Sequence, residues 1–219
     1  MSREPLPPPL PPETRTVGQL VAESLKLYQA NLWTSLALGS SVTVINQISA
    51  GHETRFQLAV LAAGAPLMSA AFVGASAIVG GVRPSAVQVV RGILVGTLLF
   101  VPAAFLTLFY VLPGVAWLAF FGLAVPVIVV ERRGAGDALR RAIELARADY
   151  LHALGSLATL AILFGLVKLT LALLLRDFGE AGERAALGLA DLVVSPLLFL
   201  GGALLYVDQA ARVRSTPAT

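Results

Sequence analysis

The sequence predicts an all-helical membrane protein with six spans and amphipathic helices along its cytoplasmic face. Three observations carry this. Hydrophobic residues make up 57% of the 219-residue chain and charged residues only 13%, against about 25% charged in a typical soluble domain. Long, nearly uncharged stretches approach the roughly 20 residues a helix needs to cross a bilayer. Basic residues gather in alternate connections between those stretches, as the positive-inside rule demands of a multi-pass chain.

The chain opens on "MSREPLPPPLPPETRT". No apolar core of the signal-peptide kind is present. Its prolines favour an extended, polyproline-type spacer, with recognition by a proline-reading domain as the alternative. Residues 1–15 are therefore expected to be a disordered cytoplasmic tail, 16–210 the membrane domain and 211–219 a second cytoplasmic tail.

"VGQLVAESLKLYQANLW" comes next. It sets Val17, Leu20, Val21, Leu25, Tyr28 and Leu32 on one helical face and Gln19, Glu23, Lys26 and Gln29 on the other. That pattern is an amphipathic helix suited to a membrane interface. Six apolar stretches follow, at 31–49, 56–79, 92–111, 115–130, 151–175 and 187–207. The first is rather polar. The fourth is short, and gains a turn at each interface.

The connections between them set the orientation. Arg55, Arg176 and Arg184 fall on one side, the last two offset by Asp177, Glu180 and Glu183, and "LPG" on that side holds no charge. Every other basic residue except Lys168 falls on the opposite side, which is therefore cytoplasmic, with both termini. Among the basic residues only Lys26 and Lys168 are not arginine, and Ala and Gly are abundant. This composition suggests a GC-rich bacterial genome, and so the bacterial inner membrane.

The densest cluster is "ERRGAGDALRRAIELARADY". With Asp137 as its expected N-cap, Leu139, Ala142, Ile143, Ala146 and Tyr150 recur on one face, and Arg140, Arg141, Glu144 and Arg147 on the other. Arg132, Arg133, Arg140, Arg141 and Arg147 are candidate contacts for anionic headgroups, at roughly 1 kcal/mol each near the surface. Gly18 set over Gly136 aligns the apolar positions of the two amphipathic segments, and "RPSAVQVVRG" is a shorter third. A threefold repeat of interfacial helix plus helical hairpin is the resulting expectation.

"LPGVAWLAFFGLAVPVIVVERRGAGDALRRAIEL" carries a turn into an apolar run, then Glu131, a glycine (Gly134 or Gly136), Ala138, Leu139, Arg140, Arg141 and Leu145. Tyr28 and Asn31 stand in "LYQAN", and Tyr206 and Asp208 in "LLYVDQAAR". In these features and their order, residues 16–212 resemble the glycerophosphodiester phosphodiesterase membrane-domain family. Ala142, Gln29 and the late Arg212 depart from the family's pattern. The resemblance implies a six-span membrane module and no hydrolase, since the soluble catalytic barrel of some relatives has no counterpart here. Glu131, Tyr28, Asn31, Tyr206 and Asp208 are its candidate structural anchors.

Lys168 and Asp191 are the ionisable residues placed deepest in spans, at similar depth, and are expected to pair across two helices. Read structurally, the two charges balance each other; read functionally, they form a site for a lipid headgroup or a proton. Pro66, Pro102, Pro126 and Pro196 interrupt spans, and Ala70 and Gly74 make a small-xxx-small step for close packing. The chain has no cysteine, and His52 and His152 stand alone. Catalytic triads, phosphate loops and metal motifs are absent from the pattern, so no catalytic residue, cofactor or metal is expected. Nucleic acid is not an expected partner.

Two functions lead, ahead of an enzyme acting within the membrane, which the shortage of clustered ionisable groups disfavours. One is a non-catalytic membrane module that binds lipid or a protein partner, including a second copy of itself. The other is a small transporter or lipid-translocating protein that uses kinked helices and the Lys168–Asp191 region. A packed bundle favours the first, a continuous polar cavity the second.

Overall fold

The computed structural model describes residues 11–215, and among these every regular element is helical. A 3-10 turn at Pro12–Thr14 leads into α1 (Val17–Ala30). Thr16 and Gln19 close a reciprocal capping box at its start. Leu20, Ser24 and Tyr28 are buried along one stripe, while Leu25 and Leu32 of the expected apolar face point outward. Asn31 donates its side-chain amide to the Leu27 carbonyl and separates α1 from α2 (Leu32–Ser49).

Then come α3 (Thr54–Gly80), α4 (Ala86–Phe109), α5 (Val111–Phe121), α6 (Ala124–Val130), α7 (Ala135–Ala148), α8 (Tyr150–Leu175) and α9 (Gly179–Ser215). Among the described residues, five helical stretches are long and apolar enough to cross a membrane: Thr54–Gly80, Ala86–Thr107, Val111–Val130, Tyr150–Phe178 and Ala181–Ser215. The first expected span, α2, is a helix but is not one of these five.

Several expected boundaries move. "RPSAVQVVRG" does not form a separate amphipathic helix. Ser85 and Gln88 form a capping box that starts α4, which runs on without a break. The turn expected at "LPG" is Tyr110 alone, in extended conformation, and Pro113 lies in the first turn of α5, where a missing N–H costs little. The stretch 115–130 is split at Gly122 and Leu123. Pro126 has no N–H to offer the Gly122 carbonyl, so the helical ladder lapses there. Asp137 is not the cap of α7. Gly134 is, and Asp137 sits in the first turn, favourable against the positive end of the helix. Around Gly179 the connection contracts to a 3-10 turn at Arg176–Phe178, and the following Ala, Glu and Arg residues are drawn into α9.

The tail boundaries move as well. Arg15, assigned to the first tail, is packed against the body, and α9 continues through 211–215. Residues 1–10 lie outside the described residues.

α9 is the hub of the bundle, packed against α8, α2, α3, α1, α7, α6 and the N-terminal turn. α3 packs against α4, α2, α9 and α6, with Ala71, Phe72, Val73 and Ala75 buried. The core has two joined parts. Leu123, Ile128, Leu145 and Leu205 centre one, and Leu38, Phe72, Phe199 and Leu200 the other. α8, by contrast, turns most of its apolar surface outward, with Ile162, Leu166, Leu169 and Leu173 exposed.

Candidate functional site

The bundle's charged groups collect at its two ends. At the α7 end, Glu131 caps α6 and gathers three neighbours. Arg133 Nε lies 2.6 Å from Oε2, Arg141 Nε lies 3.6 Å from Oε1, and Tyr206 donates its hydroxyl to Oε1 at 3.1 Å. One carboxylate thus joins the end of α6, the inward edge of α7 and α9. Charge-assisted bonds of this kind are the strong ones.

Beside it, Arg15 pairs with Asp208, which is fully buried on α9. Arg212 Nη1 lies 2.6 Å from Asp149 Oδ2, and its Nη2 donates to the Arg15 carbonyl at 3.3 Å. Gln209 donates to the Asp149 carbonyl at 2.9 Å, and Asp149 Oδ1 caps α8 by accepting from the His152 amide at 3.0 Å. Of the expected anchors, Tyr28 is buried against the second core and Asn31 caps α1. Glu131 and Tyr206 touch each other, and Asp208 holds the N-terminal segment.

The five candidate arginines divide into two groups. Arg133 and Arg141 are tied to Glu131, and Arg141 also to Glu144 at 3.1 Å. Arg132, Arg140 and Arg147 are exposed and make no ion pair with a described residue. The division follows from α7's geometry: Ala138, Ala142, Leu145 and Ala146 are buried, which turns Arg140 and Arg147 outward. Arg132 terminates α6 with φ +58°, a left-handed conformation that a non-glycine residue adopts at a cost.

At the other end, Lys168 Nζ lies 2.7 Å from Asp191 Oδ1. Asp191 is 1% exposed, and its second oxygen accepts from Asn46 Nδ2 at 2.8 Å. The lysine also stands 5.3 Å from the centre of the Phe164 ring. Gln47 donates to the Arg184 carbonyl at 2.8 Å, and Arg184 Nη2 donates to the Ala50 carbonyl at 3.0 Å. Gly39 makes this meeting of α2 and α9 possible, since a Cβ there would stand 2.1 Å from the Leu192 carbonyl oxygen. Asn46, Gln47 and Arg184 were not among the expected site residues. The polar "NQ" inside an apolar stretch, facing a buried aspartate, is the signal that marks them.

Between the two ends lies a cavity of about 180 Å³ lined by apolar side chains, among them Met68, Phe72, Phe100, Leu123, Leu157 and Phe199. Buried Ser24, Ser69 and Ser76 donate to carbonyls of their own helices. Among the described residues no three carboxylate or histidine side chains converge to hold a metal. No family model, curated protein or solved structure matches the chain.

Proposed function

We propose that the protein is a non-catalytic, six-span module of the bacterial inner membrane that binds anionic lipid at its cytoplasmic face. The division of the arginines carries this reading. Glu131 ties Arg133 and Arg141 and so fixes α7 to the bundle, leaving Arg132, Arg140 and Arg147 as a free row of positive charge. Anionic headgroups are the natural complement of such a row on an amphipathic helix.

The sixth crossing is α2. Arg15 and Asp208 meet at one end of the bundle, so the chain between them crosses an even number of times. Five helical stretches are apolar enough by composition; α2 supplies the remaining crossing. At ~1.5 Å per residue its 18 residues reach about 27 Å, close to a hydrocarbon core. Part of its polar content looks inward: Ser35 and Ser41 are buried and Asn46 bonds Asp191, while Thr34 and Ser40 are exposed. Trp33, Val44 and Ile48 look outward.

The resemblance to the glycerophosphodiester phosphodiesterase membrane-domain family fits the same reading, because residues that carry it, Glu131, Arg141 and Tyr206, form one contact cluster. The interfacial helix plus hairpin unit would occur twice, as α1–α3 and α7–α9, with α4 to α6 lacking the leading helix. The apolar lining of the central cavity favours binding over transport.

Native mass spectrometry of the protein released from discs of equal phosphatidylglycerol and phosphatidylcholine tests the proposal. Phosphatidylglycerol adducts are expected, weakened about tenfold or more in Arg140→Gln/Arg147→Gln. Equal retention of both lipids by the native protein and the variant would rule the reading out. Capture of a partner chain or second copy in place of lipid would redirect it to a protein ligand.

A further inference from the structure

We infer that the recess between α2, α8 and α9 is an anion site that receives a phosphate group at the bundle end opposite α7. This goes beyond the lipid-binding role of the α7 face and rests on different residues.

The recess has a volume of about 260 Å³, and Asn46, Gln47, Gln57, Lys168, Arg184 and Asp191 line it. Among the described residues that line it, the one carboxylate is already engaged. Asp191 Oδ1 faces Lys168 Nζ at 2.7 Å, and Oδ2 accepts from Asn46 at 2.8 Å. That leaves Arg184, which makes no ion pair with a described residue and uses one N–H on the Ala50 carbonyl at 3.0 Å. The recess therefore carries one surplus positive charge at its rim, on a planar guanidinium suited to bidentate phosphate binding.

Position and donors agree with the charge. Gln47 grips the Arg184 carbonyl, so the backbone under the guanidinium is fixed on α2. Lys168 is ion-paired with Asp191, carries three N–H donors, and has a side chain 26% exposed. A structural Lys168–Asp191 pair needs neither a recess nor a second cation. The inward-facing donors and the unneutralised arginine together form a cradle for a ligand with several acceptor oxygens and negative charge. A phosphodiester of a lipid headgroup and a free phosphate ester share this chemistry.

The test uses the full chain in a phosphate-free maltoside detergent, with the α7 arginines intact. One arm adds phosphatidylglycerol and counts tightly held lipids by native mass spectrometry. The other adds soluble glycerol phosphate and follows the melting temperature. Arg184→Gln is expected to lower affinity for one of these probes about tenfold, and Arg184→Lys to retain part of it. Loss confined to phosphatidylglycerol identifies a lipid headgroup; loss confined to glycerol phosphate identifies a free phosphate ester. If Arg184→Gln does not fold, Lys168→Met/Asp191→Leu, which removes both charges together, decides in its place. The proposal fails if neither probe separates the variant from the native protein, or if Arg140→Gln/Arg147→Gln alone abolishes all binding. Those α7 substitutions leave the recess untouched, so the two sites succeed or fail separately.

Discussion

Arg15 closes on Asp208, 193 residues later in the chain, and the aspartate it meets is fully buried. The N-terminal segment is thereby locked to the hub helix by a charge-assisted bond. Arg15→Ala should release residues 11–16. A glutamate-specific protease would then cut after Glu13 at least about tenfold faster, the equivalent of losing one such bond. Unchanged cleavage would mean that the turn at Pro12–Thr14 is held by packing alone.

Lys168→Met should destabilise the protein by about 3–5 kcal/mol, because it strands the Asp191 carboxylate in the bundle. Adding Asp191→Leu should recover most of that loss, since replacing a buried ion pair by apolar residues is often neutral or better. Thermal unfolding followed by circular dichroism reads both. A double variant no more stable than the single one contradicts the pairing energetics.

Gly39→Ala should push α2 away from α9, as its Cβ would meet the Leu192 carbonyl oxygen at 2.1 Å. A backbone atom cannot swing aside, so a loss of about 1–3 kcal/mol is expected. Gly155→Ala on α8, where a Cβ meets nothing within 4 Å, should leave the melting temperature unchanged or raise it. Equal effects at the two glycines would mean that helix propensity, and not the contact, is responsible.

Arg132→Gly should raise stability by about 1 kcal/mol by relieving the left-handed backbone at φ +58°. The same change should weaken phosphatidylglycerol binding by removing one exposed cation. An increase in stability without loss of lipid would separate the strained turn from the proposed lipid face.

The sequence revealed elements more readily than contacts, and the reasons lie in particular residues. α3, α4 and α8 could be read from apolar length because their surfaces are largely exposed and correspondingly apolar. α2 reads as polar because its polar residues lie on both faces, with Ser35, Ser41 and Asn46 turned in beside Leu38 and Ile45, and Thr34 and Ser40 turned out beside Trp33 and Ile48. Depth along two helices was enough to place Lys168 beside Asp191. The link from Glu131 to Tyr206 depends on helix rotation and on 75 intervening residues, which spacing alone cannot fix. Asp149, Gln209 and Arg212 were missed for the same reason. The capping boxes at Thr16 and Ser85 were legible as Thr-x-x-Gln and Ser-x-x-Gln, and would have put the start of α4 at Ala86.

The hub position of α9 also governs biogenesis. Ribosomes deliver this helix after each of the helices it packs against. Until it arrives, Tyr206 cannot reach Glu131, Asp208 cannot hold Arg15, and Asp191 is absent while Lys168 already sits unneutralised in α8. On the proposed membrane reading, the earlier helices, α3 and α4 foremost, can pack before α9 is made, but Lys168 must wait without its carboxylate partner. The contacts that need α9 form last, and a premature stop upstream of it would yield a chain without Asp191, Tyr206 and Asp208, the residues through which it meets Lys168, Glu131 and Arg15.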